Sequence, residues 1–93
     1  MQMHSPAHPG TVLKDILCEN SISELARHIG VPRENLSKIV HGRQSISPTV
    51  AWKLAQAFPN SDAQFWLALQ NQYDIAQIRK KKPKPIKPLS IAA

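Results

Sequence analysis

Two short apolar-periodic runs, parted by the turn Gly30-Val31-Pro32, restrict what residues 21–42 can become. The first run carries Ile22, Leu25, Ala26 and Ile29, and the second carries Leu36, Ile39 and Val40. Apolar residues three and four apart share one face of a helix. Ser21-Ile-Ser-Glu24 fits a capping box, in which Ser21 accepts from a backbone N–H and Glu24 reaches back. Gly30 accepts the left-handed backbone that stops a helix, Pro32 opens the next one, and Gly42 ends it. Two short helices joined by a tight, glycine-containing turn form a helix-turn-helix. Ala26 supplies the small residue needed where the second helix crosses the first. Leu36 and Ile39 face inward, which leaves Arg33, Glu34, Asn35, Ser37 and Lys38 as a polar, varied outer face. The motif is expected over residues 22–41.

Three more helices are expected around it. Residues 8–20 open with Pro9-Gly10 and carry Val12, Leu13, Ile16 and Leu17 at helical spacing. Ser47-Pro48 is a serine cap followed by a first-turn proline, and the helix after it buries Val50, Ala51, Leu54 and Phe58. Ser61 or Asp62 caps a fifth helix that carries Phe65, Trp66, Leu69, Tyr73, Ala76 and Ile78 and fades near Lys81. Within it, Phe65 and Leu69 are expected in the core. No segment alternates as a strand would. Ninety-three residues, 42% of them hydrophobic, support one core. The expected fold is all-α, a compact five-helix bundle over residues 8–81. Residues 1–7 form a flexible N-terminus, and residues 82–93 a basic, proline-rich tail.

The formal net charge is +6, but its position matters more than its size. Arg79, Lys80, Lys81, Lys82, Lys84 and Lys87 follow one another with no acid among them. Residues 1–78 hold six bases and all six acids, so the folded part is formally neutral. The basic isoelectric point therefore describes the tail and not the domain. Such a tail can run along DNA phosphates, thread along an acidic partner, or do neither.

Several function classes are disfavoured. No run of 18 apolar residues exists to cross a membrane, and MQMHSPAHPG lacks the pattern of a secretory signal. A lone cysteine, Cys18, has no internal partner; a reduced, cytoplasmic setting is expected, with Cys18 as a small buried hydrophobe. The six acids form no evident catalytic pair, and three glycines make no phosphate loop, so no enzyme is expected. His4 and His8 are four apart, but Pro6 intervenes and no carboxylate or thiolate is near, so neither metal nor cofactor is expected.

Leu25-Ala-Arg-His-Ile-Gly-Val31 followed by Leu36-Ser-Lys-Ile-Val-His-Gly42 resembles the Xre/Cro-like, lambda-repressor-like helix-turn-helix. His8-Pro-Gly10, Ile46-Ser-Pro48 and Phe65-Trp-Leu-Ala-Leu-Gln-Asn-Gln-Tyr-Asp74 are similar to hallmarks of the HigA-type antitoxins, also called virulence-associated protein I. The likeness spans roughly residues 8–78 and leaves out the tail. It implies a homodimer that binds double-stranded operator DNA overlapping its own promoter and neutralises a HigB-type toxin, a ribosome-dependent mRNA endonuclease. The alternatives are a stand-alone regulator without a toxin, and an interaction module that has lost DNA binding.

In this motif the second helix enters the major groove, with its N-terminal residues at base edges. Arg33, Asn35 and Lys38 are the expected base contacts, because Arg or Lys pairs with guanine and Asn with adenine. Glu34 either accepts from cytosine or repels phosphate. Ser37, His41, Arg43, Gln44 and Ser45 look like the phosphate contacts of the family this motif resembles, and Ser21 and Ser23, at the start of the first motif helix, are expected to offer N–H groups to a phosphate. Two tryptophans are hard to bury in so small a domain, which points to a dimer interface on the fifth helix with Trp66, Gln70 and Tyr73.

Overall fold

A computed structural model describes residues 6–17 and 21–90. Its five helices are α1 (Pro9–Ile16), α2 (Ser21–Ile29), α3 (Arg33–Val40), α4 (Pro48–Ala57) and α5 (Ala63–Lys80). Among the described residues there is no strand, and no helix is long and apolar enough to cross a membrane. Cys18 and His4 lie outside the described residues.

The helix stops are backbone devices that the sequence dictates. Gly30 and Gly42 have φ of 71° and 73°. Past the first, the Val31 N–H donates to the Ala26 carbonyl at 3.0 Å; past the second, the Arg43 N–H donates to that of Lys38 at 2.8 Å. These six-to-one bonds satisfy carbonyls that a helix end leaves orphaned. The starts are equally local. Ser47 Oγ accepts from the Val50 N–H at 3.2 Å ahead of Pro48. At α5 the cap is Asp62, whose carboxylate accepts from the Phe65 N–H at 2.7 Å. Ser61 does something else: its hydroxyl donates to the Phe58 carbonyl and accepts from the Trp66 indole N–H at 2.9 Å.

Two helices begin or end differently from the expectation. Helix α1 stops at Ile16, because Leu17 turns extended at φ −101°, ψ 140° and packs its side chain against the core. Helix α2 starts at Ser21 itself, one position earlier than a capping box headed by Ser21 would place it.

The core gathers one stripe from every helix: Leu13; Ile22, Leu25 and Ala26; Leu36, Ile39 and Val40; Ala51 and Leu54; and Trp66, closed by Ile46 from the loop before α4. On α5 the inward line differs from the expected one. Trp66 is 1% exposed and Gln70 4%, whereas Phe65 is 45% exposed. Trp66 and Gln70 are therefore interior residues of the protomer and have no area left for a dimer partner, contrary to the expectation. Of the expected interface only Tyr73 keeps partial exposure. Trp52, on the outer side of α4, is 64% exposed. Beyond α5 every residue from 81 to 90 is exposed, and residues 83–90 have no regular structure.

Candidate nucleic-acid interface

Helix α3 is held by its inner face and free on its outer one. Leu36 and Ile39 are fully buried, and Ala26 at 2% exposure lets α2 come close. The outer residues Arg33, Glu34, Asn35 and Lys38 are all exposed. The expected base-reading set is thus brought together on one helix face and presented to solvent.

One contact on this face was not foreseen. The Arg33 Nε–H donates to Ser23 Oγ at 2.6 Å, tying the start of α3 to the first turn of α2. Sequence reasoning gave these two residues separate roles, Arg33 to bases and Ser23 to phosphate. Their bond uses only Nε, so the terminal amino groups of the guanidinium remain for a bidentate pair. It also restricts a long side chain in advance, which lowers the entropy lost on binding.

At the other end of α3, His41 Nδ1 lies 2.8 Å from the Ser37 carbonyl. A carbonyl only accepts, so the proton is on Nδ1, and Nε2 is left to accept, or to donate once protonated. Ser37 and His41 thus form one unit at the entry to the loop of residues 43–47. Arg43 and Ser45 in that loop are exposed, and Gln44 is half-buried.

The loop is propped from beneath by α5 and α1. Gln70 Oε1 accepts from the Ile46 N–H at 3.0 Å, and Gln70 Nε2 donates to Asp74 Oδ1 at 3.0 Å. Beside them the His8 ring meets Tyr73 edge-on, with centroids 4.8 Å apart. His8 also caps α1, its Nδ1 accepting from the Gly10 N–H at 2.9 Å. Gln70, expected on a dimer surface, serves here to hold the loop that carries Arg43, Gln44 and Ser45, and Tyr73, expected beside it, packs on the His8 ring. The four-residue spacing of Gln70 and Asp74 was the available signal, since such pairs meet on a helix face. The His8 cap carried no such signal, since histidine is not among the residues favoured at a helix N-cap.

Gly10 accounts for the third residue of His8-Pro-Gly10. A Cβ at that position would collide with the backbone carbonyl oxygen of Ile39 and stand 2.8 Å from that of Val40. Only glycine lets the first turn of α1 rest on the last turn of α3.

Burial pushes the His8 imidazole below its ordinary value of 6.5; the Asp74 carboxylate and a hydrogen bond to the Gln44 backbone oppose this and are outweighed. The native state therefore holds His8 neutral, and the unfolded chain binds the proton more readily. Stability from this site is complete above pH 6.5 and is lost as the pH falls through 6.5 toward the lower native value. Protonating Nδ1 would also remove the acceptor for the Gly10 N–H. Thermal melts are expected to show a midpoint that drops on acidification through that window. In His8→Asn, which keeps a capping oxygen, the drop shrinks. Equal pH dependence in the two proteins would reject the assignment.

Comparison with known proteins places this geometry. A family model described as helix-turn-helix matches residues 13–65. Virulence-associated protein A' of Dichelobacter nodosus is 46% identical over 79 residues, covering 83% of this chain and 69% of that protein. Among solved structures, a HigA-family addiction module antidote protein from Coxiella burnetii superposes with a TM-score of 0.78 at 35% identity, over 85% of this chain and 88% of the other. The Pseudomonas aeruginosa antitoxin HigA, solved with the higBA promoter, gives a TM-score of 0.76 at 33% identity, over 91% and 99%. With its five helices, its glycine-stopped α2–α3 pair and these relatives, the chain belongs to the Xre-like helix-turn-helix family of DNA-binding proteins, beside the HigA-type antitoxins, and not to a family of enzymes.

Proposed function

We propose that this chain is an operator-binding antitoxin: as a homodimer it lays α3 in the major groove, represses its own operon and neutralises a HigB-type toxin. The observation that carries the DNA half is the exposed face of Arg33, Asn35 and Lys38 on a helix whose Leu36 and Ile39 are fully buried. Buried anchors fix the angle of the reading side chains, and base readout depends on that angle. The structural neighbour solved with its promoter supports the same use of the fold. Phosphate contacts fall to Ser37 on α3 itself and to Ser21, Ser23, His41, Arg43, Gln44 and Ser45, which lie before and after it in the chain, and Glu34 excludes wrong sites by repulsion or reads cytosine. The toxin half rests on relatedness to antitoxins.

The dimer contact moves toward the C-terminal half of α5. There Ile75 is 49% and Ile78 56% exposed, near half-buried Tyr73. A second copy over these residues would remove apolar surface from water, which Trp66 and Gln70 no longer can. Light scattering is expected to give a dimer mass, and a monomer mass at micromolar concentration would reject this part.

Arg33→Ala and Lys38→Ala are each expected to weaken binding to the chain's own promoter by about 1–3 kcal/mol and to relax base preference at one position. Ser23→Ala removes the Arg33–Ser23 bond and a proposed phosphate contact but keeps the guanidinium, so it should weaken promoter and scrambled duplexes alike and leave base preference unchanged. Fluorescence anisotropy with promoter and scrambled duplexes measures all three. Unchanged affinity in both alanine variants would reject α3 as the reader. Co-purification of a small basic protein from the native operon tests the toxin half.

A further inference from the structure

The positive charges beyond the neutral body all leave from one end of α5. Arg79 and Lys80 close its last turn, Lys81, Lys82, Lys84 and Lys87 follow, and no acid occurs after Asp74. Residues 79–90 are all exposed. The chain leaves the helix through Lys82 at φ 49°, whose N–H donates to the Arg79 carbonyl at 3.1 Å. Glycine is favoured at such a left-handed stop. A lysine holds it here, which keeps four cations in an unbroken row. Pro83 then prevents further helix, and with Pro85 and Pro88 it favours an extended chain. At about 3.1 Å per residue, residues 83–90 reach roughly 25 Å.

The root of this arm decides what it can reach. Gln70 and Asp74 belong to the support under residues 43–47, and Tyr73 lines one cavity with His41 and Gly42. Lys80 is six positions past Asp74, about 9 Å along the helix at 1.5 Å per residue. The arm therefore starts less than about two helical turns beyond the residues that support the loop carrying Arg43 and Ser45.

We infer that residues 79–87 form a second, sequence-independent DNA contact, an extended cationic arm along the phosphates flanking the half-site read by α3. The inference rests on the DNA-binding reading above and adds a ligand surface to it. A formally neutral body attracts a polyanion weakly at long range, and α3 itself carries Glu34 on its exposed face. The arm supplies the missing attraction, because each phosphate it neutralises releases condensed counterions. Its prolines limit the freedom lost on binding.

The test neutralises the arm in the full chain by combining Lys81→Gln, Lys82→Gln, Lys84→Gln and Lys87→Gln. Affinity is measured for the chain's own promoter duplex and for a scrambled duplex of equal length, from about 50 to 200 mM salt. Each lost phosphate contact flattens the plot of log affinity against log salt by about 0.9, so a change of about 2–4 is expected. Affinity at the lowest salt should fall by about 10- to 1,000-fold on both duplexes, with their ratio unchanged. An unchanged slope overturns the arm, including the case in which the tail serves an acidic protein partner instead. If the unmodified protein fails to distinguish the two duplexes, the helix-turn-helix reading fails; the slope on scrambled DNA still tests the arm.

Discussion

Trp66→Ala is expected to lower the free energy of unfolding by about 3–5 kcal/mol, whereas Trp52→Ala should change it by at most about 0.5 kcal/mol. The two tryptophans differ in everything but type. Trp66 is 1% exposed, its ring edge meets Phe65 at 5.2 Å between centroids and tilts against Phe58 at 6.2 Å, and its indole N–H donates to Ser61. Truncation would open a large cavity between α4 and α5 and also remove the donor that the Ser61 hydroxyl accepts. Trp52 is 64% exposed and loses little that water does not replace. Small domains are stable by only about 5–15 kcal/mol, so the first substitution removes a large part of the margin. Urea unfolding followed by circular dichroism at equal protein concentrations measures both. Loss of stability in Trp52→Ala with Trp66→Ala unaffected would reverse the assignment of core and surface.

That contrast also shows which parts of the molecule could be read from the sequence. The α2–α3 pair was legible because its determinants are local. Gly30 and Gly42 stop helices wherever a positive φ is required, and the periodic residues between them leave one face to the core. The exposed polar face follows by subtraction, since Arg33, Glu34, Asn35 and Lys38 are what remains. Helix α5 was not legible in the same way. Phe65, Trp66, Leu67 and Leu69 put apolar groups around much of its first turns, so periodicity alone does not set its rotation. Its rotation comes from tertiary partners: Trp66 between Phe58 and Ser61, and Gln70 under the Ile46 N–H. A polar residue on the buried line hid the stripe further. Gln70 is buried because a backbone N–H across 24 residues of sequence needs an acceptor. The Arg33–Ser23 bond was out of reach for a related reason: two exposed polar residues give no periodic signal of each other.

Gly10→Ala sets two ordinary effects against each other, and their sizes decide the outcome. In a helix, alanine is favoured over glycine by up to about 1 kcal/mol, so propensity alone would make the substitution stabilising. Packing opposes it: the new methyl would overlap the Ile39 carbonyl oxygen and crowd that of Val40. Neither is the free end of a side chain that can swing aside. Both belong to the last turn of α3, which Leu36 and Ile39 pin to the core at 0% exposure. Overpacking of this kind costs about 1–3 kcal/mol and occasionally more, and contact with backbone belongs at the upper end. The net expectation is a loss of about 2–3 kcal/mol. The chain can lessen it only by shifting α1 away from α3, which loosens the His8 cap and the ring contact with Tyr73. Operator affinity should fall as well, because α3 and the following loop both rest on that junction. Denaturant unfolding and anisotropy on the promoter duplex read the two effects separately. Stability equal to or above that of the unmodified protein would mean that propensity wins and that the α1–α3 approach is looser than this packing requires.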